Sequence, residues 1–351
     1  MNFTILDWNI GGAKYLESEP DKRETTREQL NSELRQLVKG YDRPQVITLQ
    51  EIVQYREPGK DLGDLIEPLE GYRYYPFRLI DSDRLSSKAK WHKVERKGLW
   101  PPGTFFAQGN AMLFRNDVPH FPVWDLSRSS IDAPAPERHF IEQVNLESGL
   151  YFGDRNTEPR AGLVAHFIFD VPGNRRKPLD IFVINLHLTT LMMEREGIPE
   201  IDLAASRIRL SQLDVLFHGI VSRYNVWKRQ GFPERGERRK ASKCETFKRH
   251  EPVWILAGDF NFTGDSVEYD TIKRMNFMDV VYKKGSGTKA SGAGKPPTLV
   301  LDYIFAGPKF IALDPLIAET SQLKNNCVDT QPKGSDHYPS YAMIPLTLPA
   351  S

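Results

Sequence analysis

Short apolar runs, each ending on a polar side chain, recur along this sequence with helical stretches between them. Residues 3–10 alternate, with Phe3 and Ile5 on one face and Thr4, Leu6 and Trp8 on the other, which predicts a half-buried strand. Leu30, Leu34, Leu37 and Val38 recur at helical spacing within residues 26–39, and Gly40 stands where a helix C-cap belongs. Residues 46–49 read as the next strand. Further strands are expected over 111–115, 163–169, 181–188, 253–257, 303–306 and 341–346. The clearest helix covers about residues 200–226, where Leu210, Leu213, Phe217, Ile220 and Tyr224 form one stripe assigned to the core. Strands alternating with helices predict a layered α/β fold.

Three segments interrupt the pattern: 81–104, basic with two Trp and a Pro-Pro; 228–249, rich in Lys and Arg; and 283–298, a Gly/Ser loop. No linker divides the chain, so residues 1–351 are expected to form one domain with elaborate loops.

Composition narrows the field of partners. The net charge is only +1, from 47 basic and 46 acidic groups, so attraction to a polyanion must come from local patches. The two cysteines, Cys244 and Cys327, make neither a disulfide scaffold nor a CxxC zinc motif. Residues 1–8 show no secretion signal, and no apolar run approaches the ~20 residues that cross a bilayer. A cytoplasmic protein without stable membrane insertion is expected.

The strand ends carry the chemistry. They deliver Asn9; Glu51; Asn185 and His187 in INLHL; Asp259 and Asn261 in VWILAGDFN; Asp302 in LVLDYIF; and Asp336 with His337 in GSDHYPSY. Singly these read as turn residues, caps, solvated acids or hydrogen-bonded core histidines. Together they place many costly polar groups at the ends of apolar strands, and unpaired burial costs ~1–3 kcal/mol each. Carboxylates and amide oxygens without thiolates suit Mg²⁺ or Mn²⁺ and not zinc. Two histidines beside carboxylates supply a general base and a general acid, an inventory that fits displacement at phosphorus.

The ordered set WNIGG, LQEI, NLHL, GDFN, LDYIF and SDHYP resembles the endonuclease/exonuclease/phosphatase (DNase I-like) superfamily. Its members include DNase I, abasic-site endonucleases, neutral sphingomyelinases and inositol polyphosphate 5-phosphatases. The resemblance implies a four-layer α/β sandwich, two packed mixed β-sheets flanked by helices. It also implies roles. Glu51 resembles the metal-binding glutamate, with Asn9 as ligand or phosphate contact and Asp336 as the acid that can approach a second metal. Asp259 and Asn261 look like the pair that positions the nucleophile and holds the phosphate, and His337 like the base oriented by Asp302.

The histidine of the NxH motif, His187, resembles that of the family's phosphodiesterase branch, which implies a proton donor to the leaving group or phosphate, with Asn185 and Arg160 as phosphate contacts. Two positions depart from DNase I. Ile52 and Val53 stand where an arginine is expected, and the neutral amide Gln108 falls near the position of the carboxylate expected to orient His187. The leading expectation is a Mg²⁺- or Mn²⁺-dependent DNase I-like nuclease acting on nucleic acid by in-line water attack. Its basic, aromatic loops include Lys88, Lys90, Trp91, His92, Lys93, Arg96 and Lys97, besides the 228–249 cluster. The same chemistry on a phospholipid or inositol phosphate is the alternative, with Leu99-Trp100-Pro101-Pro102 and Phe105-Phe106 dipping into a membrane interface. A binding scaffold without activity is a third reading, which the intact acids and histidines oppose.

Overall fold

A computed structural model describes residues 2–81, 94, 97–118, 141–145, 160–169, 179–191, 193–221, 253–281, 288–290, 297–307, 326–327 and 335–345. The 228–249 cluster, Cys244, Lys88–Lys93, Arg96 and most of 283–298 lie outside the described residues.

The first half of the chain forms β1 (Asn2–Asn9), α1 (Gly12–Glu17), α2 (Pro20–Gly40), β2 (Val46–Arg56), β3 (Gly63–Asp64), β4 (Tyr72–Asp81), β5 (Phe105–Arg115) and β6 (Ile141–Asn145). Then follow β7 (Ala161–Phe169), β8 (Leu179–His187), α3 (Pro199–Asp214) with a π-helical turn Val215–Val221, β9 (Val253–Asp259) and α4 (Val267–Arg274). The chain closes with β10 (Met278–Asp279), β11 (Lys289–Ala290), β12 (Pro297–Leu299), β13 (Asp302–Gly307), β14 (Asn326–Cys327) and β15 (Ser340–Pro345).

Apart from β11 and β12, which pair only with each other, these strands build two mixed sheets, as expected of the four-layer sandwich. A seven-stranded sheet runs β14-β15-β1-β2-β5-β4 with β3 paired to β2, and a six-stranded sheet runs β10-β13-β9-β8-β7-β6. Each contains one parallel pair, β1 with β2 and β8 with β9, among antiparallel neighbours. The alternation in β1 decides its packing. Phe3 and Ile5 enter the core between the sheets, while Leu6 and Trp8 pack with Leu30, Leu34, Leu37 and Val38 of α2. Each fully buried Phe, Ile or Leu contributes about 1.5–3 kcal/mol. On the other side Leu213, Leu216, Phe217 and Ile272 bring α3, its π turn and α4 against the second sheet.

Several expectations need adjustment. Helix α2 begins at Pro20, six residues before the apolar pattern, because Pro at the first turn has its φ already set for a helix and lacks an N–H that would go unbonded. Gly40 lies inside α2 and Tyr41 caps it. Of the stripe expected over 200–226, Leu213 and Phe217 are buried and Leu210 is half-buried, while residues 222–226 lie outside the described residues. β4 had no sequence prediction. Pro76 lies within it opposite Ala111, which is tolerated because β4 is the last strand of its sheet among the described residues.

The loop expected to dip into a membrane keeps its largest apolar side chains inside the protein. Leu99, Trp100 and Phe106 are buried. The Trp100 indole N–H donates to the Leu16 carbonyl at 2.9 Å, and Arg23 lies 3.6 Å over its ring. That segment spends Leu99, Trp100 and Phe106 on the core beside α1 and α2, while Phe105 is half-buried and Pro101 and Pro102 stay at the surface. No described helix is long and apolar enough to cross a membrane.

Candidate active site

The topology brings distant polar residues to one rim. The C-terminal ends of the parallel pairs carry Asn9, Gln50, His187 and Asp259. Because β13 is antiparallel to β9, its first residue, Asp302, pairs directly with Asp259. Likewise β15 is antiparallel to β1, with Ser340 opposite Asp7, so the preceding Ser335-Asp336-His337 returns to Asn9. Ser335 Oγ donates to the Asn9 carbonyl at 2.7 Å and accepts from the His337 N–H at 3.0 Å. The Trp8 indole N–H donates to the His337 carbonyl at 2.9 Å, fastening SDHYP onto WN.

Close approach explains the glycine of GDFN. Gly258 has φ 143°, and a Cβ there would overlap the Leu186 carbonyl oxygen of β8. Glycine therefore lets β9 lie against β8 and places Asp259 opposite His187.

Asp259 is the centre of the site. Its Oδ2 accepts from Asn9 Nδ2 at 3.0 Å and its Oδ1 from the Asn261 N–H at 2.9 Å. The same Oδ2 stands 3.8 Å from His187 Nε2 and 3.7 Å from His337 Nε2. Each ring's other nitrogen fixes its tautomer. His337 Nδ1 lies 2.9 and 3.0 Å from the two oxygens of Asp302; a carboxylate accepts, so Nδ1 carries the proton and Nε2 offers a lone pair. His187 Nδ1 lies 3.1 Å from Arg160 Nη1; a guanidinium only donates, so here the proton is on Nε2. The two imidazoles thus face Asp259 in opposite tautomers, one a proton acceptor and the other a donor.

Arg160, not Gln108, is the group described as bonding His187. Glu51 and Asn261 both hold left-handed φ, 55° and 53°, a conformation costing of order 1–3 kcal/mol that clusters at functional sites. Glu51 occupies the bulge where β2 shifts register against β5 between Leu49 and Ile52. Asn261 Nδ2 donates to the Leu188 carbonyl at 3.0 Å. Asp336 is buried beside Gly11, where a Cβ would stand 3.5 Å from its Oδ1.

Asn185 is placed differently from expectation. Its Nδ2 donates to the Leu49 and Ala111 carbonyls at 2.9 and 2.8 Å, and its Oδ1 accepts from Gln50 Nε2 at 2.8 Å. Both amide hydrogens go to the opposite sheet, leaving none for a phosphate. Asn185 ties the sheets together under the site.

The same layer holds a residue that the strand pattern passed over. Asp7 continues the inward face of Phe3 and Ile5, and its Oδ1 accepts from Thr48 Oγ1 at 2.6 Å and Gln50 Nε2 at 2.8 Å. Burial, with the charges of Asp302 and Asp259 adding to it and the Thr48 and Gln50 bonds opposing it, pushes its carboxyl up to about 8. A second missed set lies on α3. Arg209 Nη1 donates to the Thr189 carbonyl at 3.2 Å, and Gln212 exchanges hydrogen bonds of 3.1 and 2.7 Å with Thr189. Arg209 also pairs with Glu194 at 2.7 Å and Glu268 at 2.9 Å. The signal was a buried Arg and Gln three apart beside Ile208 and Leu213 on one helix face.

The donor chemistry fits a hard cation. Asp259, Asp302 and Asp336 are buried in one site, where burying like charges is costly unless cations match them. Among the described residues, Asp259, Asp302 and His337 offer ligand atoms within 4.8 Å of one another. Oxygen donors predominate, as Mg²⁺ and Mn²⁺ require.

The fold is similar to that of an endonuclease/exonuclease/phosphatase family protein from Bacteroides thetaiotaomicron, at 14% identity and a TM-score of 0.53, with 99% of each chain covered. An endonuclease/exonuclease/phosphatase from Bacteroides vulgatus superposes at a TM-score of 0.51 and 13% identity, covering 99% of this chain and 100% of that one. No curated protein matches the sequence. The Endonuclease/Exonuclease/phosphatase family profile matches residues 8–337. With that span covering nearly all of its length, the chain belongs to the endonuclease/exonuclease/phosphatase family, whose named activities all hydrolyse phosphate esters.

Proposed function

We propose that this protein is a divalent-metal-dependent phosphodiesterase that cleaves nucleic acid by in-line attack of water. The observation that carries the reading is the pair of imidazoles flanking Asp259, His337 held through Nδ1 by a carboxylate and His187 through Nδ1 by a guanidinium. His337, its Nδ1–H held by Asp302, takes a proton from the attacking water at Nε2. Asp259, braced by Asn9 and the Asn261 amide, orients that water. His187 donates its Nε2–H to the phosphate or the departing oxygen, with the Arg160 guanidinium behind it adding positive charge where negative charge builds. Glu51, with Asn9 and Asp336, would hold Mg²⁺ or Mn²⁺. When bound, the ion neutralises charge developing on the phosphate oxygens.

Nucleic acid is favoured over a phospholipid or inositol phosphate on two grounds. The basic loops of the sequence suit a phosphate backbone, and three apolar side chains of the segment that would have met a membrane, Leu99, Trp100 and Phe106, are buried. The test is a panel of supercoiled plasmid, single-stranded DNA, RNA, sphingomyelin and inositol phosphates with Mg²⁺ or Mn²⁺. Asp259→Ala serves as control. Cleavage of a nucleic acid that Asp259→Ala abolishes supports the reading. Release of phosphocholine or inorganic phosphate without nucleic-acid cleavage overturns the substrate assignment.

A further inference from the structure

The loop between β8 and α3 reads Leu191-Met-Met-Glu194-Arg195-Glu-Gly197, and its backbone is held against local preference. Met193, Arg195 and Gly197 take φ of 64°, 68° and 83°. Left-handed Met and Arg persist only where the surroundings enforce them. Glu194 does so from inside. Its Oε2 accepts from the Leu191 N–H at 3.1 Å and Thr190 Oγ1 at 3.0 Å, and its Oε1 pairs with buried Arg209. Asp202 Oδ1 accepts the Arg195 N–H at 2.7 Å.

With Glu194 turned in, Arg195 is turned out and its side chain is 31% exposed. Its Nη1 donates to the Asn261 carbonyl at 3.1 Å and Glu194 Oε1 at 3.3 Å. Among the described residues its Nε and Nη2 make no hydrogen bond. A guanidinium is thus pinned by one corner to the residue whose own N–H braces Asp259, with its other edge available. That edge matches two oxygens of a phosphate. The scissile phosphate already has His187 and Arg160, whereas Arg195 docks through the far, carbonyl side of Asn261.

We propose that Arg195 binds the phosphate next to the scissile one, so that the enzyme reads an extended strand and not an isolated diester. The assignment rests on the nucleic-acid phosphodiesterase reading. It is tested with the full chain, using a fluorescein-labelled single-stranded oligonucleotide for binding in EDTA. Cleavage of that oligonucleotide and of bis(p-nitrophenyl) phosphate is then compared in Mn²⁺. Arg195→Gln binds the oligonucleotide about tenfold more weakly, and the slope of log affinity against log salt falls by roughly 0.7. Its rate loss is at least about fivefold greater on the oligonucleotide than on the small diester, since a single lost contact of ~1.4 kcal/mol is tenfold. Arg195→Lys, which keeps the charge, restores most of the salt slope. Equal losses on both substrates mean that Arg195 only supports Asn261, and overturn the assignment, as does an unaltered salt slope in a protein that cleaves both. Failure of the unsubstituted protein to cleave either substrate overturns the proposed function itself.

Discussion

Asp7 gives the sharpest physical prediction. The carboxyl is fully buried between the sheets, and burial raises it from 3.8 to about 8. The native state therefore keeps a proton that the unfolded chain releases near pH 4. Stability contributed by that proton is complete below pH ~4 and is lost as pH rises, until the native carboxyl also ionises near pH 8. At ~1.4 kcal/mol per pH unit, the loss between about pH 5 and about pH 8 is roughly 4 kcal/mol. Asp7→Asn keeps an oxygen for Thr48 and Gln50 and has nothing to titrate. Urea unfolding in EDTA, where no bound cation adds its own pH dependence, measures the difference. At a slope of about 3 kcal/mol per M, the wild-type midpoint should fall by more than about 1 M relative to the variant across this range. Parallel midpoints from pH 5 to pH 8 would refute the claim that Asp7 is buried and protonated.

Other outcomes follow from the same structure. His337→Ala should lower kcat for phosphodiester hydrolysis by ~10²–10⁴ while the protein stays folded by circular dichroism, and Asp302→Asn should lower it by less. Arg209→Met leaves Glu268 buried without the cation that pairs with it and Glu194 with the Arg195 contact alone, and should cost about 3–5 kcal/mol in chemical denaturation. Trp100→Ser should cost ~3–5 kcal/mol, and the unsubstituted protein should not co-sediment with neutral phosphatidylcholine vesicles, since this indole packs on Leu16 and Arg23.

The parts legible in the sequence were those where one physical demand acted alone. The run Val253–Ala257 is apolar on both faces because β9 is sandwiched by a sheet and helices, so strand, polarity break and Asp259 were visible together. The pairing of His337 with Asp302 came from the family resemblance; the topology supplies its reason, since both adjoin strand starts that return to one rim. Demands that competed were hidden. β4 was not expected, and the proline within it is one that a strand with no described neighbour beyond it allows. Asn185 looked like a phosphate contact because nothing local reveals that its partners, Leu49 and Ala111, come from the other sheet. Trp100 looked like a lipid anchor because exposure depends on α1 and α2 packing over it. Arg209 lay inside an apolar stripe, and only the matching burial of Glu194 and Glu268 explains its position.

The central claim is that side chains drawn from both sheets act as one metal-assisted site around Asp259. Initial rates of bis(p-nitrophenyl) phosphate hydrolysis against Mn²⁺ concentration, for wild type and Asp259→Asn, test it most directly. The account predicts a rate that is absent in EDTA, saturates with Mn²⁺ in the wild type, and falls by about 10³-fold or more in the variant. Undiminished hydrolysis in EDTA, or a variant as fast as the wild type at saturating Mn²⁺, would contradict it.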